Sequence, residues 1–181
     1  MKLNEDERNE CLSYIKSLAS DPRIIKLKKI KQHHCSNRYT HCVRVAYSCY
    51  KFAIKSSIKY NMHDLLLGAM LHDYFSYDWR DKDKTNHKAP LHNHPKEALA
   101  EAKKDFEISP LVEDIIVHHM WPITLFHIPR SKEAFLVSWI DKVVSFSEAS
   151  RSNKRNIKKR FRSHRTREKQ EKKLNKKQEK K

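Results

Sequence analysis

The chain has 181 residues, 38% of them hydrophobic, a single Gly and a formal net charge of +17. One domain is expected from that length rather than a multidomain enzyme, and the longest apolar run, Leu65 to Leu71, falls far short of the ~20 residues of a membrane span. The charge is uneven: residues 151–181 hold sixteen Lys and Arg against three Glu, whereas residues 1–150 hold twenty-three against nineteen.

The expected organisation is therefore a core-bearing domain over residues 1–150 and a basic tail over 151–181. With one Gly and no sustained apolar/polar alternation, the punctuation of hairpins is missing and the fold class reads as all-α. A first helix is expected from Asn4 to Ala19, with Leu12, Ile15 and Leu18 on one face, stopping at Asp21-Pro22. A second runs from Asn37 to Tyr60, its stripe of Val43, Ala46, Tyr50, Ala53, Ile54 and Ile58 recurring at three and four. A third, short and nearly apolar all round, spans Met62 to Phe75 and should be the most buried; Gly68 within it allows a neighbouring helix to come close. Ser76 to His94 is charged and aperiodic and reads as a long loop. Pro95 then opens a fourth helix to Phe106, and Ser109-Pro110 a fifth to His118-His119. After a loop with Pro122 and Pro129, a last helix from Ser131 is expected to turn Phe135, Leu136, Trp139, Ile140, Val143, Val144 and Phe146 inward.

The N-terminus carries Glu5-Asp6-Glu7 where a secretory signal has a basic and then an apolar segment. Cys11, Cys35, Cys42 and Cys49 form no C-x-x-C pair and read as free, mostly buried thiols. A cytoplasmic location is expected.

Twelve His invite a search for ligands. In chain order the candidates are His41, the pair His72-Asp73, His94, the pair His118-His119, and Asp141. Adjacent helical residues point ~100° apart, so His72 and Asp73 share an ion only if it lies in the wedge between them. Imidazole and carboxylate donors without thiolate suit one or two divalent Mn, Fe, Co, Ni or Zn ions and disfavour calcium. Lone His such as His63, His87, His127 and His164 read as solvated or hydrogen-bonded residues; Trp79, Trp121 and Trp139 read as core or lid packing.

Tyr39-Thr40-His41-Cys42, Leu71-His72-Asp73-Tyr74, His94-Pro95, His119-Met120-Trp121-Pro122 and Asp141-Lys142, in that order, resemble the HD-domain metal-dependent phosphohydrolase superfamily. The resemblance covers Gln32 to Ser147, and the phrases LHDYFSYDW and HHMWP are similar to a group of small bacterial HD proteins. It implies a compact helical bundle in which His41, His72, Asp73 and Asp141 hold one ion, and Asp73 bridges to a second held by His94 and His119. Where many relatives carry Lys, this chain has Ser76. Arg44, three residues beyond His41 on the same face, is then the expected phosphate-binding cation, and His118 a neighbour of the second ion able to protonate a leaving group.

The function implied is hydrolysis of a phosphate ester or anhydride, with a nucleotide as substrate, by attack of water activated at the metal. Two alternatives stay open: a dinucleotide or dinucleoside polyphosphate hydrolase, and a nucleic-acid- or ribosome-associated binding protein whose HD site is structural or regulatory. The tail has only Ile157, Phe161 and Leu174 as sizeable apolar residues, too few to offset ordering entropy. It reads as disordered or as a solvated helix, an electrostatic arm for RNA, DNA or a ribosome.

Overall fold

Helix α1 (Glu5–Ser20) starts where the sequence places it, because Asn4 and Glu7 close a reciprocal cap: Asn4 Oδ1 accepts from the Glu7 N–H and Glu7 Oε2 from the Asn4 N–H, both at 2.8 Å. The computed structural model describes residues 4–33, 36–75 and 90–151. Most of the expected 76–94 loop and nearly all of the tail lie outside the described residues. So does Cys35, while Cys11, Cys42 and Cys49 are free and buried.

After α1 come the short α2 (Pro22–Ile25), a 3-10 turn (Lys26–Lys29), and an antiparallel pair, β1 (Lys31–His33) and β2 (Ser36–Asn37). That ribbon is a small addition to an all-α fold. Four helices follow: α3 (Arg38–Ala53), α4 (Met62–Leu71), α5 (Pro90–Asp105) and α6 (Pro110–His118). Residues 132–151 form α7. Among the described residues no helix is long and apolar enough to cross a membrane.

Several boundaries differ from expectation for identifiable reasons. Helix α3 ends at Ala53 rather than Tyr60; the Ser56 hydroxyl accepts from the Ile58 N–H at 3.0 Å, a side-chain competitor that unwinds the backbone, and Ile58 is exposed. Helix α4 stops at Leu71 instead of Phe75, because the His72 ring binds the Ala69 carbonyl at 2.8 Å and the chain turns. Helix α5 opens at Pro90, so Pro95 lies inside it and His94 is helical, not in a loop. Pro90 takes the favourable first position, and Pro95 leaves the Leu91 carbonyl without its helical N–H.

The largest correction concerns α7. Its buried stripe is Ala134, Val137, Asp141, Val144 and Glu148, with Leu136 and Ile140 beside it, whereas Phe135, Trp139, Val143 and Phe146 are exposed, Trp139 by 65% and Phe146 by 78%. Apolar residues ring this helix, so hydrophobicity alone does not choose its inner face. The acids Asp141 and Glu148 do, through the partners they meet inside.

Helix α4 sits at the centre, against α1, α3, α5 and α6, with every residue from Leu65 to Leu71 buried. Fully burying a Leu contributes about 1.5–3 kcal/mol. Gly68 makes the expected close approach: a Cβ there would stand 2.7–2.9 Å from three side-chain atoms of Ile115 on α6. Near the start of the two helices, the Ser109 hydroxyl donates to Asp64 at 2.7 Å. Helices α4 and α6 thus run side by side, and their C-terminal ends arrive together.

Candidate metal centre

Gly68 lies four residues before His72, and Ile115 four before His119. The close crossing one turn below therefore sets the two imidazoles face to edge, with ring centroids 5.0 Å apart. Both helix C-termini carry partial negative charge toward this point, which favours a cation there. From α3, His41 brings its Nε2 to 3.3 Å from His72 Nε2; from α5, His94 brings its Nε2 to 3.1 Å from His119 Nε2. Asp141 of α7 closes the first group, its Oδ1 lying 2.9 Å from His41 Nε2 and 3.7 Å from His72 Nε2.

Asp73 stands between the two pairs of imidazoles. Its Oδ2 is 3.8 Å from His72 Nε2, and its Oδ1 is 3.6 Å from the Nε2 of both His94 and His119. Two ligand groups result, His41–His72–Asp73 and Asp73–His94–His119, each with donor atoms within 4.8 Å of one another. All six expected ligands converge, and all are buried.

Two further expectations fare differently. Arg44 is 43% exposed in its side chain and donates to Glu148 Oε1 at 2.7 Å, so it reaches the centre through Glu148. His118 turns away from the ligands: its Nδ1 meets Asp114 Oδ1 at 2.7 Å, and it borders a groove with Lys103, His127 and Arg130. Neighbours at a helix end point ~100° apart; with His119 inward, His118 falls onto Asp114 one turn earlier. Of the lone His, His63 stacks on Tyr14, and His87 and His164 lie outside the described residues.

The electrostatics suit cation binding. Burial pushes the His72 and His119 pKa values down, in both cases outweighing nearby carboxylate charge, which leaves neutral rings with a free lone pair. Burial also opposes charge on His41, but its interactions with the Asp141 and Glu148 carboxylates, and the charge of Asp141 and Asp73, prevail and raise it to about 10. Burial would raise Asp73 and Asp141; the surrounding imidazoles, with Arg38 near Asp73 and Lys142 near Asp141, hold both below the usual carboxylate range. Lys142 Nζ lies 3.0 Å from Asp141 Oδ2 and also donates to the His119 carbonyl.

Sequence reasoning missed two residues. Arg38, fully buried, donates to the Phe75 carbonyl at 2.6 Å and lies over the Phe75 ring; its signal is a position three before His41. Glu148 is 4% exposed and lies seven residues after Asp141, two turns along the same face. An acid repeated at that interval on a buried stripe is the signal.

A helical domain whose helix ends and faces gather four His and Asp73 into two joined groups, with Asp141 beside the first, has the donor set of a fold that could hold metal ions. The family model for the HD domain matches residues 38–145, and the chain belongs to that family, within the metal-dependent phosphohydrolase superfamily. Comparison with curated proteins and with solved structures gives no significant match.

Proposed function

We propose that the protein hydrolyses a phosphate ester or anhydride of a nucleotide, using two divalent transition-metal ions. One observation carries this: the two oxygens of Asp73 face different histidine pairs, the arrangement a bridging carboxylate needs. The donor set fits such ions, being nitrogen and carboxylate oxygen without thiolate. When bound, they would polarise a phosphoryl oxygen and lower the pKa of water from about 15.7 toward ~7.

The chain's own residues supply the rest. Asp73 and Asp141 neutralise positive charge at the centre. Arg44, half-exposed, offers its guanidinium to non-bridging phosphate oxygens, where fixed cations stabilise charge as it shifts in the transition state. The tail serves as a cytoplasmic electrostatic arm for RNA, DNA or a ribosome, supported by its charge alone.

A hydrolysis screen over a nucleotide library with Mn or Co added tests the reading. Release of phosphate or a nucleoside monophosphate, lost in Asp73→Ala, is the expected result. No hydrolysis by metal-loaded protein leaves a binding protein with a structural HD site.

A further inference from the structure

Three imidazoles of the centre have a clear outward-facing ring nitrogen, and their outer partners are not alike. His72 Nδ1 meets the Ala69 carbonyl at 2.8 Å, and His119 Nδ1 meets the Ile116 carbonyl at 2.7 Å. Each N–H given to a carbonyl fixes the tautomer and leaves Nε2 as a lone pair aimed inward. Those carbonyls can accept because both His stand just past a helix end, where the last four C=O groups have no helical partner. His41 has no such resource. It is the fourth residue of a sixteen-residue helix, where the carbonyls three and four residues earlier serve the helix's own ladder.

A carboxylate stands where the carbonyl is missing. Glu148 Oε2 lies 3.5 Å from His41 Nδ1, on the side of the ring away from Asp141, which meets Nε2. The carboxylate is held from two directions: Ser36 Oγ donates to Oε2 at 2.8 Å, and Arg44 to Oε1 at 2.7 Å. A buried carboxylate is costly unless paired and hydrogen-bonded, and this one has both supports. Ser36 and Glu148 lie just outside the family match of residues 38–145.

We infer that Glu148, clamped by Ser36 and Arg44, is the positioning residue that orients His41 toward the first ion, doing for an imidazole in the first turn of its helix what the Ala69 and Ile116 carbonyls do for His72 and His119. This rests on the metal reading above. A full negative charge behind the ring, in place of a carbonyl dipole, also makes His41 a stronger nitrogen donor than His72 or His119.

The test reads metal and ring state, not turnover. Mn(II) titration followed by calorimetry should give a first-ion affinity about 10–100-fold weaker in Glu148→Ala than in the unaltered chain, with the second-ion step unchanged. Glu148→Gln, whose amide oxygen still accepts from Nδ1–H, should fall between. Long-range 15N–1H spectra of the Zn-loaded, unaltered protein should show the His41 proton on Nδ1. Equal Mn(II) affinity in Glu148→Ala and the unaltered chain would overturn the inference alone. A His41 proton on Nε2 would show that this ring does not hold the ion through Nε2, and would overturn the inference even if both variants failed to fold. An unaltered chain that binds no divalent ion would instead remove the metal reading, and this inference with it.

Discussion

The two halves of the centre are built on different electrostatic plans. The half around His41, His72 and Asp141 is crowded with formal charge: Asp141 touches His41 and Lys142, and Glu148 stands behind His41 with Arg44 on its far side. The half around His94 and His119 has no carboxylate of its own among the described residues and borrows Asp73. A site with two carboxylates and a charged outer partner binds a dication more tightly than one with a single shared carboxylate. The comparison therefore predicts an order, the first half filling before the second.

The largest effect should come from Asp73→Ala, which removes the one group common to both halves: hydrolysis should be abolished and metal content should fall at both. Full activity in that variant would end the metal mechanism. The halves separate in the next pair of variants. His94→Ala and His119→Ala should lose the second ion, keep the first, and lose about 10²–10³ in turnover, the usual cost of removing one transition-state charge stabiliser. Elemental analysis finding one ion per chain in metal-saturated, unaltered protein would reduce the centre to its first half.

Gly68→Ala strikes both halves through packing. The new methyl meets the Cβ branch of Ile115 as well as its Cδ1 tip, all within 2.9 Å, and overpacking of this kind costs about 1–3 kcal/mol. Because Gly68 and Ile115 each lie one turn below a ligand, first- and second-ion affinities should weaken together. A variant destabilised in urea but binding both ions normally would show that the crossing supports the core and not the site.

The charged half also predicts how the metal-free protein responds to pH. Glu148 is held down at about 2, against burial, by His41 and Arg44. A carboxylate lowered in the folded state contributes stability that is complete above its ordinary value of about 4.5 and disappears as pH falls through the folded value. Urea midpoints should thus drop between pH 4.5 and 2, and drop less steeply in Glu148→Gln. His41, raised to about 10, acts in the opposite sense: its contribution is full below about 6.5 and is lost as pH rises toward 10. An identical acid slope in Glu148→Gln would place the acid sensitivity in other carboxylates.

What could be read in the sequence followed from how strongly local chemistry constrains each residue. Asn4 with Glu7, and Ser109 with Pro110, carry their helix starts in a few positions. The run Leu65 to Leu71 can only be central, and the ligand order from His41 to Asp141 survives any error in helix length. Position within an element was harder to read. His94 belongs to α5 because Pro90, not Pro95, is its first residue, and α7 hides Asp141 and Glu148 while exposing Trp139 and Phe146. In both cases the deciding contact is with a partner distant in sequence. The direction of His118 was lost for a related reason: two adjacent His at a helix end are equivalent in sequence, and Asp114 decides which one turns outward.

The smallest expected effect on turnover comes from deleting residues 151–181. None of the six ligands lies there, and α7 reaches the centre through Asp141 and Glu148, both before the cut, so hydrolysis of a small phosphate ester should be nearly unchanged. Polyanion binding should fall sharply, since the tail holds sixteen of the 39 Lys and Arg. If the tail neutralises about eight phosphates, log affinity against log salt should slope near −7 on duplex DNA and near −6 on a single strand. The slope left after deletion belongs to the domain. A truncated chain with undiminished affinity and slope would move the polyanion contact onto exposed cations of the body, such as Arg130 and Lys132, and reduce the tail to a solubilising extension.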